Sequence, residues 1–177
     1  MIRVDPLARP EPLIRRVYAY AAYRLGDGPD AEDATSDTFE RALRYRHRYD
    51  RSKGEPIAWL LGIARRAVDD VYATRPPVAE LTADVAGTGD LEPEMVRKLT
   101  VQKAVLTLDE RSRELVALRY GADLTARQIA EMLGERTNTV EVALHRAHAR
   151  LRAALEGEQR RPKPASGQTG GEEAVSI

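Results

Sequence analysis

The chain has no cysteine among its 177 residues. Disulfides and cysteine-based zinc sites are therefore excluded, and a reducing compartment is compatible. No apolar run approaches the ~20 residues that a membrane-spanning helix needs. The N-terminal stretch MIRVDPLARPEP is polar and broken by proline, so it does not read as a signal peptide. Net charge is zero, with 28 basic and 28 acidic residues. That balance speaks against a protein that coats nucleic acid through bulk positive charge. Any DNA contact must come from basic residues placed locally, or from a partner. Lysine is scarce, at 53, 98, 103 and 163, so the positive charge is almost all arginine. Arginine suits bidentate contact with phosphate and guanine. With no cysteine, three histidines and no phosphate-cradling glycine loop, no catalytic constellation emerges. Glu141, His145 and His148 have helical metal-ligand spacing, but their face is needed for DNA or solvent. No cofactor, metal or membrane contact is expected. There are no internal repeats.

What is present is helix. At 42% hydrophobic and 32% charged, the composition fits one domain or two small ones. Residues 125–155, TARQIAEMLGERTNTVEVALHRAHARLRAAL, carry the clearest pattern. Thr125 and Gln128 form a capping box before Ile129, Ala130 and Leu133. Gly134 is the left-handed stop. Thr137 or Asn138 then caps a longer helix, with Val140, Leu144, Ala147, Leu151 and Leu155 on one face. A short helix, a glycine turn and a longer helix with Arg and His is a helix-turn-helix pattern. Its second helix would lie in the major groove. The same spacing also fits a helical hairpin in any all-α protein.

Upstream, residues 12–25 predict a helix stopped by Gly26, Gly28 and Pro29. Residues 30–49 predict a second, with Ala31, Ala34, Thr38, Ala42 and Tyr45 in one stripe and Phe39 and Leu43 beside it. Its acids stand early and its arginines late, as the helix dipole favours. The dipole leaves the outer acids Asp33, Asp37 and Glu40 without a job. A polar loop, residues 50–56, leads to a third helix over 57–72 that buries Ile57, Leu60, Leu61, Ala64, Val68 and Val71. It carries the single tryptophan, Trp59, whose ordinary place is core or half-buried surface. Asp69 and Asp70 read as helix surface. These three helices can close a core of their own, which places a first domain at 12–74. Residues 75–93 read as a linker, rich in proline, glycine and acid. A second, four-helix domain spans 94–155, including a helix capped by Asp109 that ends at Gly121. Residues 156–177 read as a disordered tail. The fold class is all-α.

Three stretches together resemble the sigma-70 family of bacterial transcription initiation factors, in particular its small extracytoplasmic-function group. Residues 24–44, RLGDGPDAEDATSDTFERALR, are similar to the polymerase-binding helix. Residues 58–70, AWLLGIARRAVDD, are similar to the promoter-melting helix. Residues 106–151, LTLDERSRELVALRYGADLTARQIAEMLGERTNTVEVALHRAHARL, are similar to domain four. They occur in the family's order and spacing.

The resemblance implies a non-enzymatic, cytoplasmic factor that directs RNA polymerase to promoters and helps melt them. Its partners would be core polymerase (the beta-prime clamp and the beta flap) and promoter DNA. It admits an anti-sigma factor wedged between the domains. Asp33, Ser36, Asp37, Glu40 and Arg41 are carried over as the polymerase-binding set, with Ser36 standing where the family usually has Gln. Arg46, His47, Tyr49, Arg51, Lys53, Trp59, Arg65 and Arg66 are carried over for the minus-ten element. In the family a base flips into a pocket there. Arg66 stands where Asn is common, and only Arg75 follows where an arginine cluster is usual. Arg127, Arg136, Thr137, Asn138, Thr139, Glu141, His145 and Arg146 are carried over for the minus-thirty-five element. Here residues 138–143 read NTVEVA where the family often shows GTVKSR. Two basic positions are lost and one is acidic, which predicts a distinct or weakly read upstream element. A stand-alone helix-turn-helix regulator and a degenerate sigma-like interaction module each fit parts of this pattern.

Overall fold

Proline opens each of the first four α-helices in the computed structural model, which describes residues 5–74 and 93–159. A proline at the first helical position has no N–H to leave unpaired, and its fixed φ suits the helix. The order is α1 (Pro10–Leu25), α2 (Pro29–Tyr45), α3 (Pro56–Thr74), α4 (Pro93–Leu106), α5 (Glu110–Val116), α6 (Ala126–Leu133) and α7 (Thr137–Gln159). All regular elements among the described residues are helical. None of these helices is long and apolar enough to cross a membrane.

Local chemistry sets the breaks. Gly26 ends α1 at φ 97°, a conformation that favours glycine. Asp109 caps α5 by accepting from the Ser112 N–H. Thr125 and Gln128 form the expected reciprocal capping box on α6, and Gly134 ends that helix in the left-handed conformation. α7 opens at Thr137, so Arg136, one residue before the expected caps, occupies the cap position. α7 also runs on through residues 156–159, where the sequence pattern placed the start of a tail. The rest of that tail and the linker from 75 to 92 lie outside the described residues.

The helix after Asp109 does not run evenly to Gly121. It changes at Ala117 into a π turn, Ala117–Gly121, closed by the Ala122 N–H on the Ala117 carbonyl at 2.9 Å. Such widened turns cluster at functional positions.

The core of the first three helices also packs onto the second half of the chain. Val17, Tyr20 and Ala21 of α1, Ala31, Ala34 and Ala42 of α2, and Leu60, Leu61 and Val68 of α3 form one cluster with Leu115, Leu118, Leu124, Ile129 and Val140. The core is therefore continuous across the two halves. A second, smaller cluster joins Val105, Leu108, Val116 and Ala147. The cause is α1, which is buried both toward α2 and α3 and toward the π turn. Ala19 and Tyr20 meet Gly121 so closely that a Cβ there would lie 2.8 Å from the Tyr20 nitrogen and 2.9 Å from the Ala19 carbonyl group. Arg16 locks the same junction, donating from Nε to the Ala122 carbonyl at 2.6 Å and from Nη2 to the Asp123 carbonyl at 3.1 Å.

Three residues also depart from expectation: Val71 of α3 is only half-buried, and Tyr45 of the α2 stripe and Leu43 beside it are exposed. Tyr45 is 38% and Leu43 57% exposed. Both stand in the last turn of α2.

Candidate nucleic-acid and polymerase interfaces

α2 turns Ala31, Ala34, Thr38 and Ala42 inward, with Phe39 packed at the edge of the core. The Thr35 and Thr38 hydroxyls donate to carbonyls one turn back, which removes their polarity from the interior. The 3.6-residue period then places Asp33, Ser36 and Glu40 on the exposed face. Asp37 is half-buried and bound to Arg41 at 2.6 Å, and Arg41 also reaches Asp70 on α3 at 2.7 Å. These two carboxylates hold the Arg41 guanidinium above its ordinary pKa, the Asp70 hydrogen bond contributing most. Arg41 is thus a tie between α2 and α3, which its family role alone does not suggest. Asp33, Ser36 and Glu40 are the members of the carried-over set most open to a partner.

The loop after α2 consists of two 3-10 turns, Arg46–Arg48 and Arg51–Lys53. Asp50 organises it by accepting from the Ser52 hydroxyl at 2.7 Å and the Ser52 N–H at 3.0 Å. Those bonds hold its carboxyl below the usual range. Tyr49 donates to the Gly54 carbonyl at 3.0 Å, which closes the loop. Its ring lies 5.6 Å from that of Trp59, tilted by 57°. Arg46, His47, Arg51 and Lys53 are exposed, while Tyr49 and Trp59 are half-buried. The outcome is a basic rim around a tilted aromatic pair, a surface suited to phosphate and to an unstacked base. Arg66 on α3 is exposed. Arg65 is not free for DNA here: its Nε donates to Glu114 of α5 at 2.6 Å.

α6 and α7 form the helix-turn-helix. Ile129 and Ala130 of α6 share the core with Val140 and Leu144 of α7. This packing leaves Arg136, Thr137, Asn138, Thr139, Glu141, His145 and Arg146 exposed along one side. Arg127 on α6 is exposed and pairs with Glu131 at 2.9 Å. The opening turn of α7 therefore presents hydroxyls and an amide, followed by a carboxylate. Basic charge appears before it and two turns later.

The residues carried over for polymerase, for the minus-ten element and for the upstream element lie on different elements and are not gathered into one cleft. What sequence reasoning missed lies between them. Arg24, Glu114 and Gly121 join the halves, and none has a local signature that names its partner. Arg24 looks like a routine basic residue in a helix's last turn.

A sigma-70 region 2 family model matches residues 11–75, and a sigma-70 region 4 model matches residues 98–151. The chain is 30% identical over 151 residues to the ECF RNA polymerase sigma factor SigK of Mycobacterium ulcerans, covering 80% of this chain and 77% of that protein. It is 28% identical to SigW of Bacillus subtilis, over 79% of this chain and 83% of SigW. BldN of Streptomyces coelicolor is 29% identical over 81% of this chain, which spans only 58% of BldN. Among solved structures, CnrH in complex with the cytosolic domain of CnrY matches with a TM-score of 0.56 at 23% identity, over 83% of this chain and 82% of that one. The sigma factor RpoE of Bartonella quintana, in complex with the anti-sigma factor NepR, matches at 0.56 and 22%, over 81% and 92%. Those two likenesses speak to the fold. With both region models in order along one chain, and SigK matched over most of its length, this protein belongs to the sigma-70 family of RNA polymerase sigma factors, in its extracytoplasmic-function group.

Proposed function

We propose that this protein is a promoter-specificity subunit: it binds core RNA polymerase, directs it to particular promoters and assists melting there. It acts in the cytoplasm, and its role is binding rather than catalysis. The exposed acids of α2 engage the beta-prime clamp, and the second domain, 94–155, meets the beta flap. The first domain, 12–74, takes the minus-ten element. There the Tyr49–Trp59 pair receives an unstacked base, and Arg46, His47, Arg51, Lys53 and Arg66 hold the backbone. The first turns of α7 take the upstream element in the major groove, through Arg136 to Thr139, Glu141, His145 and Arg146, with Arg127 on phosphate. Zero net charge suits this role, because polymerase supplies much of the DNA contact. RpoE of Bartonella quintana is held by an anti-sigma factor, and the shared fold supports a partner of that class here.

The observation that carries the reading is that an exposed acidic face precedes a basic, aromatic loop on one scaffold, ahead of a helix-turn-helix. A stand-alone regulator needs neither of the first two. The test is run-off transcription with sigma-free core polymerase and a library of genomic fragments. Discrete start sites are expected, and they should vanish with Asp33→Lys combined with Glu40→Lys. These two residues are preferable to Asp37, whose loss would also free Arg41. Polymerase binding without transcripts would favour a degenerate interaction module. DNA binding without polymerase contact would favour a stand-alone regulator.

A further inference from the structure

The residues that α2 buries fully are Ala31, Ala34, Thr35, Thr38 and Ala42, and all are small. Phe39 is bulky, but it packs only at the edge of the core. Such a face lets α2 lie close to its neighbours, yet it raises no tall ridge to lock into another helix's groove. The buried threonine hydroxyls add nothing between helices, because each donates to a carbonyl of α2 itself. A slide or twist of α2 against α3 would keep these small residues buried. Shape alone therefore fixes the mutual position of the two helices weakly.

A directional contact supplies what the shape lacks. The Arg41 guanidinium grips Asp37, one turn back on α2, with two bonds: Nε to Oδ1 at 2.9 Å and Nη2 to Oδ2 at 2.6 Å. That fork aims the planar group, and the same Nη2 reaches Oδ2 of Asp70 on α3 at 2.7 Å. Nε and Nη2 are thus both committed within the chain. A lone exposed ion pair contributes little. A guanidinium forked onto one carboxylate and shared with a second is a network of fixed geometry, and it specifies direction as well as attraction.

The two helices joined in this way have different tasks on the function proposed above, and the second half of the inference rests on that reading. α2 exposes Asp33, Ser36 and Glu40, and α3 carries Trp59 and Arg66. We infer that Arg41 is a positioning residue and not a polymerase contact: with Asp37 and Asp70 it fixes the register of α3 against α2, so that polymerase bound to the acids of α2 places Trp59 and the loop against the minus-ten strand. Asp37 aims the guanidinium. Asp70, which reads in the sequence as helix surface, is the anchor on the other helix.

The test compares Arg41→Gln, Asp70→Asn and the charge swap Arg41→Asp with Asp70→Arg, each in the full chain. The first readout needs no polymerase. Arg44→Cys on α2 and Gly62→Cys on α3 carry nitroxides in a chain that has no other cysteine. Both positions are exposed, and a Cβ at Gly62 meets no neighbouring atom within 4 Å. Pulsed electron resonance should give one narrow distance in the parent, a broader or shifted one in each single variant, and the narrow one again in the swap. Helix content by circular dichroism should stay constant throughout. The second readout separates docking from opening. Both single variants should bind core polymerase as the parent does, yet open promoters about two- to thirty-fold more slowly, the span expected when coupling between two sites is broken. The swap should recover most of that rate, which a guanidinium at position 70 could not do if polymerase were touched at position 41. Polymerase affinity lost in Arg41→Gln but kept in Asp70→Asn would overturn the inference. So would distances that neither single variant moves, or a swap that rescues neither readout. A parent that does not bind polymerase would remove the proposed function and the role in opening with it, while the distances would still decide the register.

Discussion

The loop at residues 46–56 and the opening turns of α7 are the two surfaces proposed to meet DNA, and their chemistry differs. The loop carries Arg46, His47, Arg48, Arg51 and Lys53 around the paired rings of Tyr49 and Trp59. The opening of α7 exposes Thr137, Asn138 and Thr139, then Glu141 and Val142. One surface offers cations and an aromatic pair; the other offers neutral hydrogen-bonding groups and a carboxylate. Phosphate contact supplies affinity and base edges supply discrimination. On the function proposed above, that difference puts grip and melting in the loop. It leaves α7 as a modest reader that relies on polymerase to hold it in place. A glutamate can still accept from cytosine, but it repels the backbone on either side.

The largest effect is expected where the loop's stacking is removed. Trp59→Ala deletes a platform of a kind worth about 1–3 kcal/mol per base, so open-complex formation should fall by roughly one to two orders of magnitude. Permanganate reactivity of unpaired thymines in the minus-ten region measures it. An undiminished signal would break the contrast between the two surfaces. Next, Arg51→Ala with Lys53→Ala should flatten the salt dependence of promoter binding, by about 0.7 in the log–log slope for each single-strand phosphate that is no longer neutralised. Glu141→Lys asks whether α7 can be made more like the loop. Upstream-element binding should tighten several-fold, with a salt slope steeper by about 0.9 for one newly neutralised duplex phosphate. Unchanged or weaker binding would show that Glu141 is a base reader and not a liability.

The smallest effect lies away from both surfaces. Asp109→Ala removes the α5 cap and should cost about 1 kcal/mol in urea unfolding, with little change at the loop. The Ser112 N–H, then the Ser112 hydroxyl, hold the Asp109 carboxyl below its ordinary pKa. Its contribution is therefore present above the ordinary carboxylate range and is lost as pH falls through the lowered value. The parent and the Asp109→Ala variant should converge in stability at low pH.

Features fixed by near neighbours are legible in the sequence. Thr125 with Gln128, and Gly134 after them, specify one helix end each through bonds spanning three or four residues. Period alone gives most of the buried stripes of α2 and α3, and misses at their C-terminal ends, at Tyr45 and Val71. The all-α class and the exposure of Asp33, Glu40 and the α7 opening are readable for that reason. The junction between the two halves is not. Arg24 and Glu114 are ninety positions apart, and a buried cation at a helix end looks the same in sequence as an exposed one. The family position of Arg65 suggests DNA; only packing shows that it meets Glu114. The π turn is equally silent, since ALRYG has no distinctive helical period. A clue does exist around Glu114: it is followed by an unbroken apolar run, Leu115 to Leu118, all buried. An acid next to such a run needs a partner from elsewhere in the chain.

The measurement that goes most directly to the account is transcription from a promoter recovered in the run-off assay, with each element scrambled in turn. If the loop carries recognition, scrambling the minus-ten element abolishes the transcript, and scrambling the upstream element leaves much of it. A transcript that survives loss of the minus-ten element but not of the upstream one would contradict the account.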